Sequence, residues 1–269
     1  MNPQGAAGAG AAAQPSRDSE EFSSQVRTMF DRIAGVYDRM NHVMTAGLDR
    51  RWRERAVERA ELEHGDSALD VCCGTGDLAF ELARAVGASG SVTGCDFSEA
   101  MLEIAREKEA DRAGSAPPGA ESNGDGGGSA AVEFEWADAL ELPYDDESFD
   151  AVTVGFGVRN LSDLEAGLGE LTRVLKPGGR LVILEITQPQ RPPLSTFFSL
   201  WFDRVVPMLG SVAGDSAAYS YLPDSVRSFP LPARLAELMD GAGLGEIRWL
   251  LLGGGIIAIH SGAKGGPAA

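Results

Sequence analysis

The chain has 269 residues, 43% of them hydrophobic and 23% charged, which is enough to bury a sizeable core in one large domain or two small ones. Its 23 lysines and arginines are outnumbered by 40 aspartates and glutamates, so the formal net charge is −17 and nucleic acid is not expected as a partner. The sequence offers neither an apolar stretch long enough for a membrane helix nor the pattern of a signal peptide, so we expect a cytoplasmic protein.

The N-terminal part is predicted to form a tail and then two helices. The helical region covers 22–62. Residues 1–20 are mostly small or polar and are expected to be disordered. Apolar residues at a spacing near 3.6 begin at Phe22 and predict a helix that stops at Gly35. A second helix is predicted over 49–62, where arginines and glutamates stand at ion-pairing spacing and indicate a solvated face.

Short apolar runs alternate with helical ones in the central part of the chain, which predicts parallel strands joined by crossover helices. The predicted strands are 68–73, 91–95, 132–136, 150–155 and 180–186, and the predicted helices are 77–86, 98–109 and 162–175. Ser98 is expected to cap its helix. Residues 111–131 are rich in glycine, alanine, serine and proline and predict a flexible insertion.

The C-terminal part is predicted to contain a helix at 233–241 and strands at 246–252 and 256–260. Three glycines link the two strands, which favours an antiparallel hairpin. The expected fold class is therefore α/β, with a doubly wound, mostly parallel seven-stranded sheet and an antiparallel edge strand. One domain is expected over 21–262, with a second disordered tail at 263–269.

The most informative motif is the glycine turn that follows the first strand. Gly74 and Gly76 let the backbone turn sharply before a helix, so a flat nucleoside is expected there. Asp96 lies 20 residues beyond Gly76, where a ribose-binding acid belongs, although it could also cap the helix that begins near Ser98. With Ala79 as the third small residue, the turn alone does not separate NAD from another adenosine cofactor.

Asp70 favours a cationic cofactor. A carboxylate beside the glycine turn suits a pyrophosphate poorly, but it could orient amides of the loop or meet the amino group of S-adenosylmethionine. The adjacent Cys72 and Cys73 are poorly placed to bond to each other and are interpreted as small packing residues. The three histidines are scattered, so no metal site is expected.

Several segments together resemble a known enzyme family. The run 70–77, Asp96, Asp138-Ala139 and the run 173–181 look like a class I S-adenosylmethionine-dependent methyltransferase, with its Rossmann-like fold. The segments 30–41 (FDRIAGVYDRMN), 157–160 (GVRN) and 219–222 (YSYL) are similar to the menaquinone and ubiquinone C-methyltransferase (MenG/UbiE) family, over about 22–262. Within that family, the pair of cysteines at 72 and 73 resembles the menaquinone branch more than the ubiquinone branch.

The resemblance implies that S-adenosylmethionine methylates a ring carbon of a polyprenylated demethylquinol. By the family pattern, cofactor contacts fall on Gly74, Thr75, Gly76, Asp96, Asp138, Ala139 and Gly155. Position 72 is cysteine where many such loops have glycine, position 155 is glycine where relatives can carry serine, and Asp49 replaces a histidine of some relatives.

The expected reaction needs an activated nucleophile, because a quinol hydroxyl resembles tyrosine, with a pKa of about 10. Arg159, helped by the family pattern, is the candidate that stabilises the oxyanion and positions a water, unless it only pairs with Asp163. Tyr37 and Asn160 are the other catalytic candidates, for a hydrogen bond to the quinol oxygen or for orienting Arg159. Tyr37 could instead be a packed aromatic residue, and Asn160 could cap the next helix.

The region 187–230 is expected to form a substrate lid. Between 194 and 208 one helical stripe is apolar, which indicates either core or a surface for a prenyl chain or for the inner face of a membrane. The ubiquinone-pathway reaction on a methoxylated benzoquinol stays open as an alternative to demethylmenaquinol. An NAD(P)-dependent oxidoreductase and a non-catalytic nucleoside-binding module are the alternatives of other classes.

Overall fold

A computed structural model describes residues 20–45, 47–114, 128–201, 204 and 216–265. The helices are α1 (Glu20–Met44), α2 (Asp49–Ala60), α3 (Asp77–Val86), α4 (Glu99–Gly114), α5 (Leu164–Arg173), α6 (Leu194–Leu200), α7 (Ser216–Ser228) and α8 (Pro232–Gly241), with a 3-10 helix at Val158–Asn160. The strands are β1 (Ser67–Val71), β2 (Ser91–Asp96), β3 (Val132–Trp136), β4 (Phe149–Gly155), β5 (Leu175–Ile186), β6 (Leu244–Leu252) and β7 (Ile257–Lys264).

The strands form one seven-stranded sheet in the order β3-β2-β1-β4-β5-β7-β6. The first five are parallel, and β7 runs antiparallel to both β5 and β6. This confirms the prediction of a doubly wound, mixed α/β sheet. The antiparallel strand β7 lies between β5 and β6, so β6 forms the edge.

Some predicted boundaries are wrong. Helix α1 passes through Gly35 to Met44, because the apolar stripe continues beyond the glycine with Met40 and Met44 packed near Met29. Helix α4 continues to Gly114, so the start of the insertion predicted at 111–131 is helical. Strand β5 begins at Leu175, and β7 extends to Lys264, where it pairs with Leu244.

Other predictions lie partly outside the described residues. These are the tail predicted at 1–20, of which 1–19 lie outside, the insertion at 115–127, the C-terminal tail at 266–269, and positions 202–203 and 205–215 of the predicted lid. Within the described parts of the chain, every helix is too short or too polar to cross a bilayer.

Helices cover both faces of the sheet. One face buries Leu168, Leu171, Leu235 and Met239 of α5 and α8 against β4 and β5, and the other buries the apolar sides of α2 and α3. Helices α1, α6 and α7 form a further apolar cluster with Met29, Trp201 and Leu222. Because the strand order reverses between β1 and β4, a crevice is expected at their carboxyl ends, which is where ligands bind in such sheets.

Candidate active site

Two adjoining cavities lie at the carboxyl ends of β1 and β4. A small one of about 70 Å³ is lined by the ends of β1, β2 and β4 and by α1. A large one of about 510 Å³ extends among α1, α6, α7 and the turn after β6. The residues that line both are Phe30, Tyr37, Cys72, Gly74, Gly155 and Phe156. A ligand in the small cavity therefore lies beside a ligand in the large one.

The glycine turn after β1 forms the floor where the cavities meet. Cys72, Gly74 and Gly76 all have positive φ, of 56°, 55° and 86°. A side chain at Gly76 would collide with the ring of Phe134, so the turn needs glycine there. A Cβ on Gly74 would meet nothing within 4 Å, so space for a ligand lies above it. The turn was predicted correctly, and Cys72 adopts a conformation that favours glycine.

Asp96 ends β2 and lines the small cavity. Its Oδ2 accepts a hydrogen bond from the backbone N–H of Gly74 at 2.9 Å, and its Oδ1 accepts one from the N–H of Ser98 at 2.9 Å. Burial raises the pKa of Asp96 to about 6, although these backbone hydrogen bonds oppose the shift. The acid thus ties the glycine turn to α4, and each oxygen retains a lone pair for a ribose hydroxyl.

Asp70 lies beneath the glycine turn and is 1% exposed. Its Oδ1 accepts a hydrogen bond from the hydroxyl of Thr153 at 2.7 Å, whereas its Oδ2 lacks a hydrogen-bond partner within the described residues. Burial is the main cause that raises the pKa of Asp70 to about 7. An approaching cation would favour the ionised form of this carboxyl group.

The outer wall of the small cavity consists of Phe97, Met101, Asp138 and Ala139. The Oδ1 of Asp138 accepts a hydrogen bond from the backbone N–H of Leu140, which holds the turn after β3. Gly155 lines both cavities, and a Cβ there would lie 3.1 Å from Leu78. These predicted cofactor residues are therefore brought together around one space.

Three predicted cofactor residues do not line the small cavity: Asp70 and Thr75 line only the large one, and Gly76 lines neither. The Thr75 hydroxyl donates a hydrogen bond to Asp38 of α1 at 2.6 Å. Lys108 of α4 contacts the Thr75 hydroxyl at 3.0 Å and pairs with Asp38 at 2.7 Å and with Asp77 at 2.8 Å. We call Asp38, Thr75, Asp77 and Lys108 the latch, because they fasten α1 across the glycine turn.

Arg159 lies in the 3-10 helix after β4 and lines the large cavity. Its Nη1 pairs with Oε1 of Glu185 at 2.7 Å and donates to the carbonyl of Phe156 at 2.5 Å. Burial lowers the pKa of Arg159, but Glu185 and nearby tyrosines outweigh it, so the pKa is raised and the guanidinium stays charged. The suggested pairing with Asp163 is wrong, since Asp163 caps α5 by accepting from Ala166.

Tyr37 and Asn160 lie near Arg159. Burial raises the pKa of Tyr37, although Arg159 and a hydrogen bond with Asn41 oppose the shift. The hydroxyl of Tyr221 donates to Oδ1 of Asn160 at 3.1 Å, so the suggestion that Asn160 caps the next helix is wrong. Tyr37 is also packed edge-to-face against Phe30, with ring centroids 6.0 Å apart.

The large cavity is mainly apolar beyond this polar end. Its wall includes Met29, Met40, Met44, Trp52, Phe197, Phe198, Trp201 and Leu222. Part of the predicted apolar stripe therefore faces the cavity rather than a closed core, while Val205 and Met208 lie outside the described residues. A long apolar group fits this space better than a polar one.

The site fits S-adenosylmethionine in its chemistry. The acid Asp96, the open space above Gly74 and the unpartnered oxygen of Asp70 suit a ribose, a close backbone contact and an ammonium group. The small cavity alone is far below the roughly 300 Å³ typical of ligand pockets. A bound cofactor would therefore extend toward the large cavity or displace α1.

The sequence analysis missed two features of the site, the partner of Arg159 and the latch. Glu185 is the only acidic residue in the apolar run 181–186, and a charge in a buried strand indicates a partner. The latch joins residues far apart in the chain, so spacing could not have placed Lys108 beside Asp38. Asp49, which replaces a histidine of some relatives, pairs with Arg53 at 2.8 Å, and Arg53 also pairs with Asp77 at 2.6 Å.

Comparison with protein families gives one match over most of the chain. The model of the ubiE/COQ5 methyltransferase family matches residues 17–264. A demethylmenaquinone methyltransferase from Desulfitobacterium hafniense (strain Y51) is 42% identical over 249 residues, which are 91% of this chain and 92% of that protein.

Solved structures show the same architecture at low sequence identity. The crystal structure of the [4+2]-cyclase SpnF has a TM-score of 0.64 and 22% identity, covering 91% of this chain and 97% of the other. A SAM-dependent methyltransferase from Aquifex aeolicus has a TM-score of 0.54 and 20% identity, covering 78% of this chain and 88% of the other. These likenesses show the fold alone.

Proposed function

The chain belongs to the ubiE/COQ5 methyltransferase family, and from this premise we propose that it transfers a methyl group from S-adenosylmethionine to a ring carbon of demethylmenaquinol. The family match confirms the predicted family, the enzyme class and the cofactor. The alternatives of an NAD(P)-dependent oxidoreductase and of a non-catalytic module are therefore wrong. The ubiquinone-pathway quinol remains the second candidate substrate.

One observation carries the proposal: a charged arginine faces an apolar cavity that joins the cofactor cavity. Arg159 lines the large cavity, and Gly74 and Gly155 line both. A quinol ring at the polar end of the large cavity would thus have its hydroxyl near Arg159 and its ring carbon near the glycine turn. Such proximity is the main contribution that an enzyme makes to a displacement reaction.

S-adenosylmethionine, when bound, supplies an electrophilic methyl group on a sulfonium. The residues of this chain have to raise the nucleophilicity of the ring, which increases when the quinol hydroxyl loses its proton. The guanidinium of Arg159 stabilises the resulting oxyanion, and the apolar wall strengthens this interaction by excluding water. Arg159 lines the large cavity and only its Nη1 is bound to Glu185 and Phe156, so another N–H of the guanidinium can donate to that oxygen.

Tyr37 orients the substrate rather than removing its proton, whereas Asn160 lines only the small cavity. Because its pKa is raised, the Tyr37 hydroxyl stays protonated and acts as a donor to a quinol oxygen. Asn160 is held by Tyr221, which fixes its amide at the edge of the small cavity. The hydroxyl proton passes to a water positioned by Arg159. After the methyl group has moved from the sulfonium to the ring carbon, that carbon loses its own C–H proton and the oxyanion is reprotonated, which restores the aromatic ring with a net release of one proton.

The same cavity suggests how a lipid substrate enters. Leu48 and Phe197 line the large cavity although they are 42% and 57% exposed, so they mark its mouth. Leu200, on the same helix as Phe197, is also exposed, and near Leu48 stands the exposed Arg50, which pairs with Glu54 at 3.1 Å. The mouth is suited to peripheral contact with the inner face of the membrane, where the prenyl chain of the quinol resides.

Incubation with matched quinols tests the proposal. Demethylmenaquinol and a methoxylated benzoquinol of equal prenyl length are each supplied with S-adenosylmethionine, and calorimetry compares S-adenosylmethionine with NADH. We expect methylation of the naphthoquinol, weak or no methylation of the benzoquinol, and no NADH binding. Preferential methylation of the benzoquinol would show that the substrate is the ubiquinone-pathway quinol. If neither quinol is methylated, the proposal is refuted.

A further inference from the structure

Glu185 is a buried acid outside both cavities. It is the last residue but one of β5, is 1% exposed, and lies in an interior strand of the sheet opposite Ala258 of β7. Burying a carboxylate among apolar strands is costly unless it is paired and hydrogen-bonded. A well-packed apolar residue would serve the core at least as well, so this acid requires another explanation.

Within the described residues, the Glu185 carboxylate is bound by Arg159 and by the backbone of its neighbour Ile186. Oε1 of Glu185 accepts from Nη1 of Arg159 at 2.7 Å and from its own neighbour Ile186 N–H at 2.8 Å, and Oε2 faces the backbone N–H of Arg159 at 3.4 Å. The carboxylate therefore holds both the guanidinium and the backbone of Arg159. The carbonyl of Phe156 accepts from the same Nη1, so two partners fix the orientation of the guanidinium.

We propose that Glu185 is a positioning residue that holds Arg159 at the wall of the large cavity and moderates its charge. The inference rests on the proposed function, since it deepens the role of Arg159 in stabilising the quinol oxyanion. Glu185 lines neither cavity and so touches no substrate. When Glu185 is paired with Arg159, the guanidinium is oriented as a donor to the quinol hydroxyl, and the carboxylate partly compensates its positive charge.

The charged and titratable groups around Arg159 come from three elements. Glu185 faces it from β5, Tyr37 from α1 and Tyr221 from α7. Asp96 and Glu185 also act on Tyr37. Among these groups Glu185 alone is ion-paired with Arg159, so neutralising it should change the field at the quinol oxygen most.

The test uses Glu185→Gln, which keeps the shape and an acceptor oxygen but removes the charge. An uncompensated Arg159 lowers the pKa of a bound phenol, so the acidic limb of the kcat–pH profile should move down by about one pH unit. Looser anchoring of the guanidinium should lower the plateau kcat roughly tenfold. The KM for S-adenosylmethionine should stay within about twofold. Glu170→Gln is the matched control, because Glu170 pairs with Arg173 away from both cavities.

A binding readout separates this inference from the proposed function. The absorbance of 1-naphthol bound with S-adenosylhomocysteine reports its pKa without turnover. We expect that pKa to fall in Glu185→Gln, to rise in Arg159→Met and to stay unchanged in Glu170→Gln. An unchanged naphthol pKa and kcat profile in folded Glu185→Gln would overturn the inference, whereas failure of the wild type to methylate any quinol would refute only the proposed function.

A second variant covers the case in which Glu185→Gln fails to fold. The double variant Arg159→Met, Glu185→Leu replaces the pair with apolar residues of similar volume. We expect it to fold and bind S-adenosylmethionine while losing methyl transfer and the shift in naphthol pKa. If the double variant also fails to fold, the pair is a structural requirement and the inference is wrong.

Discussion

The cofactor end and the substrate end of the site are built in different ways. The cofactor end consists of the glycine turn and the strand ends beside it, with Asp96 held by backbone N–H groups of Gly74 and Ser98. The substrate end brings together side chains from α1, the 3-10 helix, β5 and α7, with Arg159 held by Glu185. The first uses backbone N–H groups at the ends of the strands, whereas the second depends on pairing between side chains of separate elements.

Removing the cation at the substrate end should have the largest effect. We expect Arg159→Met to lower kcat roughly a thousandfold, because it removes the group that stabilises the oxyanion. The affinity for S-adenosylmethionine should change less than about threefold. Steady-state kinetics and calorimetry measure the two quantities, and Arg173→Met is the control, since Arg173 lines neither cavity. A comparable loss of cofactor affinity would show that the two ends are not separable.

At the cofactor end we expect the opposite result from Asp96→Asn. Loss of the charge weakens the contacts with the ribose and with the Gly74 N–H, so the Kd for S-adenosylmethionine should rise roughly a hundredfold. The kcat at saturating cofactor should stay within about fivefold. Asp138→Asn, on the outer wall of the same cavity, should weaken binding less. A normal Kd in Asp96→Asn would argue against ribose binding by this acid.

Cofactor binding should also depend on pH through Asp70. Its pKa is raised to about 7 and that of Asp96 to about 6, so both carboxyl groups become protonated as the pH falls below these values. A cationic cofactor favours their ionised forms and must then displace the protons to bind. We expect the affinity for S-adenosylmethionine to fall by up to about tenfold per pH unit below 7, with proton release in calorimetry. Asp70→Asn should flatten the dependence near pH 7. An affinity that is constant from pH 5 to 8 would contradict this prediction.

The raised pKa of Asp70 affects the stability of the cofactor-free protein in the opposite direction to cofactor affinity. A carboxyl group whose folded-state pKa is raised adds stability below its unfolded pKa of about 3.8, and this contribution is lost as the pH rises through 7. The free energy of unfolding contributed by Asp70 should therefore decline between pH 4 and 7, while cofactor affinity increases. Denaturation of the wild type and of Asp70→Asn at several pH values separates the two trends.

The latch links the two ends and should have a smaller effect. Lys108→Met removes the pairs with Asp38 and Asp77, which are partly exposed and worth about 1 kcal/mol. We expect S-adenosylmethionine to dissociate about fivefold faster in stopped-flow measurements, because α1 is held less firmly over the glycine turn. Lys176→Met, which breaks a pair with Asp150 outside both cavities, is the control. Equal dissociation rates would show that α1 does not retain the cofactor.

The smallest expected effect concerns the mouth of the large cavity. Phe197→Ser should weaken flotation with quinol-containing vesicles roughly threefold, because an exposed aromatic ring is lost from the proposed contact surface. Trp249→Ser is the matched control, since Trp249 is 45% exposed on β6 and lines neither cavity. If both variants float as the wild type does, this mouth does not contact the membrane.

The success of sequence-based prediction follows the same division. The glycine turn and the Ser98 cap were predictable because they depend on residues that are close in the chain, and the place of Asp96 beside the turn was predictable because its spacing follows a known pattern. The partner of Arg159 was wrongly sought in nearby Asp163, since pairing with Glu185 requires β4 and β5 to lie side by side. Gly35 was wrongly read as a helix end, because packing of the later methionines overrides the low helix propensity of glycine.

The most direct measurement locates the transferred methyl group. Demethylmenaquinol is incubated with the protein and with S-adenosylmethionine that carries a deuterated methyl group, and the product is fragmented by mass spectrometry. We predict that the label appears on a ring carbon, and that the oxidised quinone, which lacks the ionisable hydroxyl, takes up none. A label on a quinol oxygen, or equal labelling of the quinone, would contradict the account.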